Sequence, residues 1–198
     1  MRYVALGDSY TIGTSVAESE RWPNQLVERL ESPSLELVAN LAVNGYTSRD
    51  LIEDELPRLD ALDAEFVSLL IGVNDVVQGV PEARYAENVE AILDELLDRL
   101  PSERIVTVAT PDYTVTPQGD AYGDPVAQSA GIRRNNEILR DRAGARGIAY
   151  VDTYDLSLRV RDDPSLVAGD GLHPSGAQYA LWVERILPVV AGLIGRTG

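Results

Sequence analysis

Apolar residues along this chain fall into two alternating patterns. Five short runs have the length of strands buried on both faces: Tyr3 to Leu6, Leu35 to Asn40, Phe66 to Ile71, Ile105 to Ala109 and Ile148 to Val151. Longer segments between them carry helical spacing. Trp22 to Leu30 places Leu26 and Leu30 four apart. Ser48 to Leu62 opens on cap-forming hydroxyls and sets Leu51, Ile52, Leu56 and Leu59 on one side. Glu82 to Leu100 has a stripe of Val89, Ile92, Leu93, Leu96 and Leu97, with Pro81 at its start and Pro101 just past its end. Pro125 to Ala145 is a further helix, stopping at Gly144 or Gly147. Ser175 to Ile194 is the last, with a kink expected at Pro188.

Strands alternating with helices predict a parallel sheet covered on both faces. Right-handed crossovers then restrict the topology to a doubly wound, three-layer α/β/α sandwich. No linker, internal repeat or low-complexity tract interrupts the pattern, so residues 1–198 read as a single domain. One long irregular stretch stands out, Pro111 to Gly123, with two prolines and two glycines. A loop of that length is either a lid over a site or a tolerated surface insertion.

Composition narrows the chemistry. The formal net charge of -15 argues against nucleic acid and anionic membrane surfaces as partners. All 17 basic residues are arginine, which carries no functional meaning. With no cysteine, disulfides, thiolate metal sites and cysteine catalysis are excluded. A single histidine excludes a zinc site built on His and Cys, while carboxylate sites for Mg or Ca stay open. No apolar run approaches the ~20 residues that span a bilayer. Leu181 to Ile194 is apolar but broken by Glu184, Arg185 and Pro188. Because Met1 to Gly7 reads as a strand and not as a leader, a cytoplasmic location is expected.

In open parallel sheets, sites form beyond the carboxyl ends of the strands. Four notable sequences fall there: Gly7-Asp8-Ser9, Asn44-Gly45, Gly72-Val73-Asn74-Asp75 and Asp170-Gly171-Leu172-His173-Pro174. Serine is a weak nucleophile near neutral pH and needs a base, itself oriented by an acid. Ser9 is the candidate nucleophile, His173 the base and Asp170 the acid. Each residue alone has a plainer reading, as an N-cap serine, a loop histidine and a turn aspartate. The nucleophile elbow G-x-S-x-G is absent, since position 11 is threonine. A tetrahedral oxyanion needs preorganised donors. The backbone N–H groups of Ser9 and Gly45 and the side-chain amide of Asn74 are candidates.

Taken together, these motifs resemble the SGNH subgroup of the GDSL esterase and lipase family, in order and over nearly the whole chain. Tyr10 departs from the leucine of the family's first motif, which leaves the pocket wall beside Ser9 undetermined. The resemblance implies a flavodoxin-like sandwich with a five-stranded parallel sheet. It implies ester hydrolysis through an acyl-serine, with no metal or cofactor. It assigns Ser9, Asp170 and His173 to a triad, and Ser9, Gly45 and Asn74 to the oxyanion hole. Asp8 and Asp75 are read as carboxylates that accept backbone N–H bonds and hold the loops.

The substrate expected is a small-molecule ester of small to medium acyl length, with no stable membrane association. Thioesterase, lysophospholipase and carbohydrate deacetylase activities use the same triad. Tyr10, Tyr46, Tyr113 and Tyr122 are candidates for the entrance. A different class also fits one segment: Ser9 to Ser15 is hydroxyl-rich and suits a non-catalytic, flavodoxin-like phosphate-binding module. That reading leaves Asp170 and His173 unused. A family member serving only as a scaffold is the weakest reading, since every expected catalytic position is filled.

Overall fold

A computed structural model describes residues 1–31 and 34–195. Each apolar run forms a strand: β1 Arg2–Gly7, β2 Glu36–Asn40, β3 Phe66–Leu70, β4 Ile105–Val108 and β5 Ala149–Val151. They make one sheet in the order β2-β1-β3-β4-β5, parallel throughout. Period-two alternation splits β1 between the two layers. Tyr3 and Ala5 face a core shared with Trp22, Leu26, Trp182 and Ile186. Val4 and Leu6 face the opposite core, with Leu51, Leu56, Val89, Ile92 and Leu96. Both cores are closed by helices, which completes the three-layer α/β/α sandwich.

The helices are α1 Ser9–Ile12, α2 Trp22–Arg29, α3 Ser48–Asp50, α4 Val73–Val77, α5 Glu82–Leu97, α6 Pro125–Gly144, α7 Tyr154–Leu158 and α8 Gly176–Ile194. Two expectations are corrected. The segment Ser48 to Leu62 is not one α-helix. After α3 it widens into a π-turn over Leu51–Glu55 and tightens into 3-10 turns over Leu56–Arg58 and Asp60–Leu62. Pro57 accounts for the break, because it lacks an N–H and its ring collides with the carbonyl four residues back. The second correction concerns α8, which is long and apolar enough to cross a membrane. Here one face of it, with Tyr179, Trp182, Val183 and Val190, is buried in the core. The helix runs through Pro188 without interruption.

β1 and β3 lie side by side, yet the chain leaves β1 toward β2 and leaves β3 toward β4. Their carboxyl ends therefore diverge at the switch point of the sheet, where an open α/β fold leaves a crevice.

Candidate active site

Ser9 opens α1 directly after β1. Gly7 sits at φ 149°, and a Cβ there would lie 2.2 Å from the Leu70 carbonyl oxygen, so only glycine turns the chain at this point. Asp8 caps the helix, its Oδ1 accepting the Tyr10 N–H at 3.0 Å. On the neighbouring strand, Gly72 turns the chain at φ 128° with Tyr85 packed where a Cβ would be. α4 follows and carries Asn74 and Asp75.

Three side chains from and just beyond α4 hold the Gly45 loop. Asn74 Nδ2 donates to the Tyr46 carbonyl at 2.9 Å, and Gln78 Nε2 to the Gly45 carbonyl at 3.1 Å. Asp75 accepts the Ser48 N–H at 2.9 Å and the Ser48 hydroxyl at 2.5 Å. Gly45 itself is held at φ 83°. Asp75 is buried, and burial raises its carboxyl pKa despite the two bonds from Ser48.

Asp170 and His173 reach the same rim from the loop before α8. Asp170 Oδ1 accepts the N–H groups of Leu172 at 2.9 Å and His173 at 3.0 Å. Oδ2 accepts from His173 Nδ1 at 2.6 Å and from the Ser15 hydroxyl at 2.7 Å. Burial pushes the Asp170 carboxyl up. The bonds from Ser15, His173 and the two backbone groups outweigh it and hold the carboxyl well below the usual range. The His173 ring packs against Tyr10, with centroids 5.4 Å apart. Tyr10 thus forms the wall beside Ser9 and also restrains the imidazole plane.

A cavity of about 220 Å³ brings these groups together. Ser9, Gly45, Asn74 and His173 line it, with Val73, Val77 and Leu172 on its apolar side. Asp170 stands behind His173, outside the lining. No hydrogen bond joins Ser9 Oγ to His173; such contacts often tighten only when substrate is bound. Tyr113 and Tyr122 form the outer wall, stacked edge-to-face at 5.6 Å. Tyr46 does not reach the cavity and bonds Asp54 at 2.8 Å instead.

The stretch from Pro111 to Gly123 is folded into 3-10 turns over Tyr113–Val115 and Gly119–Tyr122. The buried Asp112 carboxylate pins it, accepting from Thr114, Ser129 and Tyr154. Two of the hydroxyls after β1 are also committed: Thr14 bonds Asn44 and Ser15 bonds Asp170. They tie loops together instead of forming a phosphate cradle. Among the described residues, no group of three or more His, Asp or Glu side chains is placed to hold a metal ion.

Residues 5–181 match the model of the GDSL-like lipase/acylhydrolase family. The chain belongs to that family. It is 27% identical to the GDSL lipase Rv0518 of Mycobacterium tuberculosis, over 94% of this chain and 80% of that protein. Among solved structures, a member of the lipolytic G-D-S-L family from Veillonella parvula superposes with a TM-score of 0.77. That match has 18% identity and covers 96% of this chain and 97% of the other. Axe2, an acetylxylan esterase from Geobacillus stearothermophilus, gives a TM-score of 0.74 at 20% identity, covering 96% and 93%. At these identities the structural matches speak for the fold. The family match places this GDSL-family chain among the acyl hydrolases.

One buried side chain beneath the site was not singled out in the sequence. Glu55, from the π-turn, is fully buried, and its Oε2 accepts the Gly7 N–H at 2.9 Å. Burial pushes its carboxyl up to about 9, and that of Asp8 up to about 8. Glu55 Oε1 and Asp8 Oδ2 have no hydrogen-bond partner among the described residues. Helical spacing sets Glu55 on the same side as Leu51 and Leu59, but its partner, the Gly7 N–H, is 48 positions away and has no signal in the sequence.

Proposed function

We propose that this GDSL-family hydrolase is a serine esterase acting on carboxylic esters of small to medium acyl groups. The observation that carries the reading is the 2.6 Å His173–Asp170 pair standing over a cavity that Ser9 also lines. His173 Nε2 takes the Ser9 proton as Oγ attacks the ester carbonyl carbon. Asp170 fixes the tautomer that leaves Nε2 free and stabilises the imidazolium. Negative charge develops on the former carbonyl oxygen, toward which the Ser9 and Gly45 N–H groups and the Asn74 amide would point. Collapse breaks the bond to the alcohol, which leaves with the imidazolium proton. Water then attacks the acyl-serine carbonyl, giving a proton to His173; the acyl–Oγ bond breaks, the imidazolium returns that proton to Ser9 Oγ, and the acid is released.

Cavity size and lining support the substrate class. About 220 Å³ is smaller than the ~300–1,000 Å³ of typical drug-sized ligand sites. No carboxylate or guanidinium lines it, so an uncharged acyl group is favoured. A second reading, deacetylation of an acetylated sugar, draws on Tyr122, 42% exposed at the mouth, as a flat surface for a sugar ring.

The test is a fluorophosphonate probe together with p-nitrophenyl esters of increasing acyl length, with Ser9→Ala as control. The expected result is stoichiometric labelling at Ser9, a short-chain optimum, and loss of both in the variant. Turnover by Ser9→Ala near the wild-type rate would refute the mechanism. Faster turnover of acetylated oligosaccharides than of any p-nitrophenyl ester would favour the sugar reading.

A further inference from the structure

Among the described residues, two positions other than glycine have positive φ, Ser15 at 66° and Asp63 at 46°. Asp tolerates this region through its short polar side chain; serine gains much less from it. Ser15 is exposed, and no burial requires a side chain there. Glycine would make the turn without strain. What a glycine would lack is the hydroxyl, and the hydroxyl donates to Asp170 Oδ2 at 2.7 Å. That is the oxygen that also accepts from His173 Nδ1 at 2.6 Å.

The bond is also the long-range one. Asp170 Oδ1 is held by N–H groups two and three residues further on, so those bonds fix the carboxyl only within its own loop. Ser15 lies 155 positions away in sequence, in the turn that ends α1. Ser9 starts that helix, and its carbonyl accepts the N–H groups of Gly13 and Thr14, both at 3.1 Å. One turn thus links nucleophile and acid. Thr14 beside it bonds Asn44, next to Gly45, so the same turn also reaches the oxyanion loop.

We propose that Ser15 is a positioning residue, whose hydroxyl locks the Asp170 rotamer and sets the His173 loop at a fixed distance from Ser9. The inference rests on the triad reading given above. Ser15 touches neither substrate nor reacting atoms; it acts through Asp170.

The experiment compares wild type, Ser15→Gly and Ser15→Ala for kcat and KM on the preferred p-nitrophenyl ester, for thermal unfolding, and for fluorophosphonate labelling. Both variants are expected to lose about tenfold in kcat, the scale of one hydrogen bond to a charged group, with KM within twofold. Their stabilities should separate. Both variants lose the bond to Asp170, but Ser15→Gly should melt above Ser15→Ala, because glycine alone is free of strain at this φ. A kinetic defect of equal size in two variants of different stability cannot come from loss of fold. Wild-type kcat in Ser15→Gly overturns the proposal, as does a rate loss that follows stability in the two variants. If the wild-type protein is not labelled at Ser9, the triad reading itself fails and the proposal falls with it.

Discussion

Glu55→Gln should stabilise this protein, and more so as pH rises. In the unfolded chain a glutamate ionises near 4.3. In the folded state burial raises Glu55 to about 9. Between those values the native protein holds a proton that the unfolded chain has released. The stabilising contribution is therefore complete below about pH 4 and is lost as pH rises toward 9, at about 1.4 kcal/mol per unit. By pH 7 the loss is about 4 kcal/mol, a large part of a typical stability of ~5–15 kcal/mol. Glutamine copies the protonated carboxyl: its oxygen can accept the Gly7 N–H, its NH₂ replaces the O–H, and it does not titrate. Thermal unfolding followed by the fluorescence of the buried Trp22 and Trp182, from pH 4.5 to 9 at constant ionic strength, measures the difference. The melting curves should meet near pH 4.5 and separate by roughly 8–16 °C at pH 7. Asp8 slopes in the same direction in both proteins and largely cancels in the difference. Melting temperatures that run parallel across the range would refute the reasoning, since a Glu55 ionised in both states leaves no pH-dependent gap.

Three further outcomes are expected. Asn74→Ala should lower kcat by about 10²–10³-fold while fluorophosphonate labelling of Ser9 persists; an unchanged kcat removes Asn74 from the oxyanion site. Asp75→Ala leaves Ser48 without its acceptor and frees the Gly45 loop, so it should cost about 1–3 kcal/mol in urea unfolding and reduce kcat. Full stability and activity in that variant would mean the carboxylate holds nothing. At the acid end, hydrogen bonds hold the Asp170 carboxyl low despite burial. Its contribution is complete above the unfolded value near 3.9 and is lost as pH falls below it. Asp170→Asn should flatten the acid side of the stability profile, and an unaltered acid transition would count against the bonds drawn to that carboxylate.

The strands and the four longest helices, α2, α5, α6 and α8, were legible in the chain because their causes are local. A buried parallel strand needs a short unbroken apolar run, and β1, β3 and β4 each lie within a residue or so of the run that predicts them. α5 and α6 follow from helical spacing, with Pro81 and Pro125 marking their starts. Ser48 to Leu62 failed the same test because its apolar spacing fits a helix while Pro57 forbids one, and the chain resolved the conflict with π- and 3-10 turns. The motif residues Ser9, Gly45, Asn74 and His173 were each readable, since a parallel sheet sends the ends of its strands to one rim.

By itself, then, the sequence determined the layers, the strand count and the loops where chemistry belongs, all set by short-range periodicity and turn residues. Tertiary structure alone decided the rest. It placed Tyr10 on the His173 ring and turned Tyr46 away from the cavity. It buried Glu55 under Gly7 and joined Ser15 to Asp170 across 155 positions. These contacts pair residues whose separation in the chain carries no periodic signal. Their energies depend on burial and on donor geometry, and neither exists until the sheet has brought the loops together.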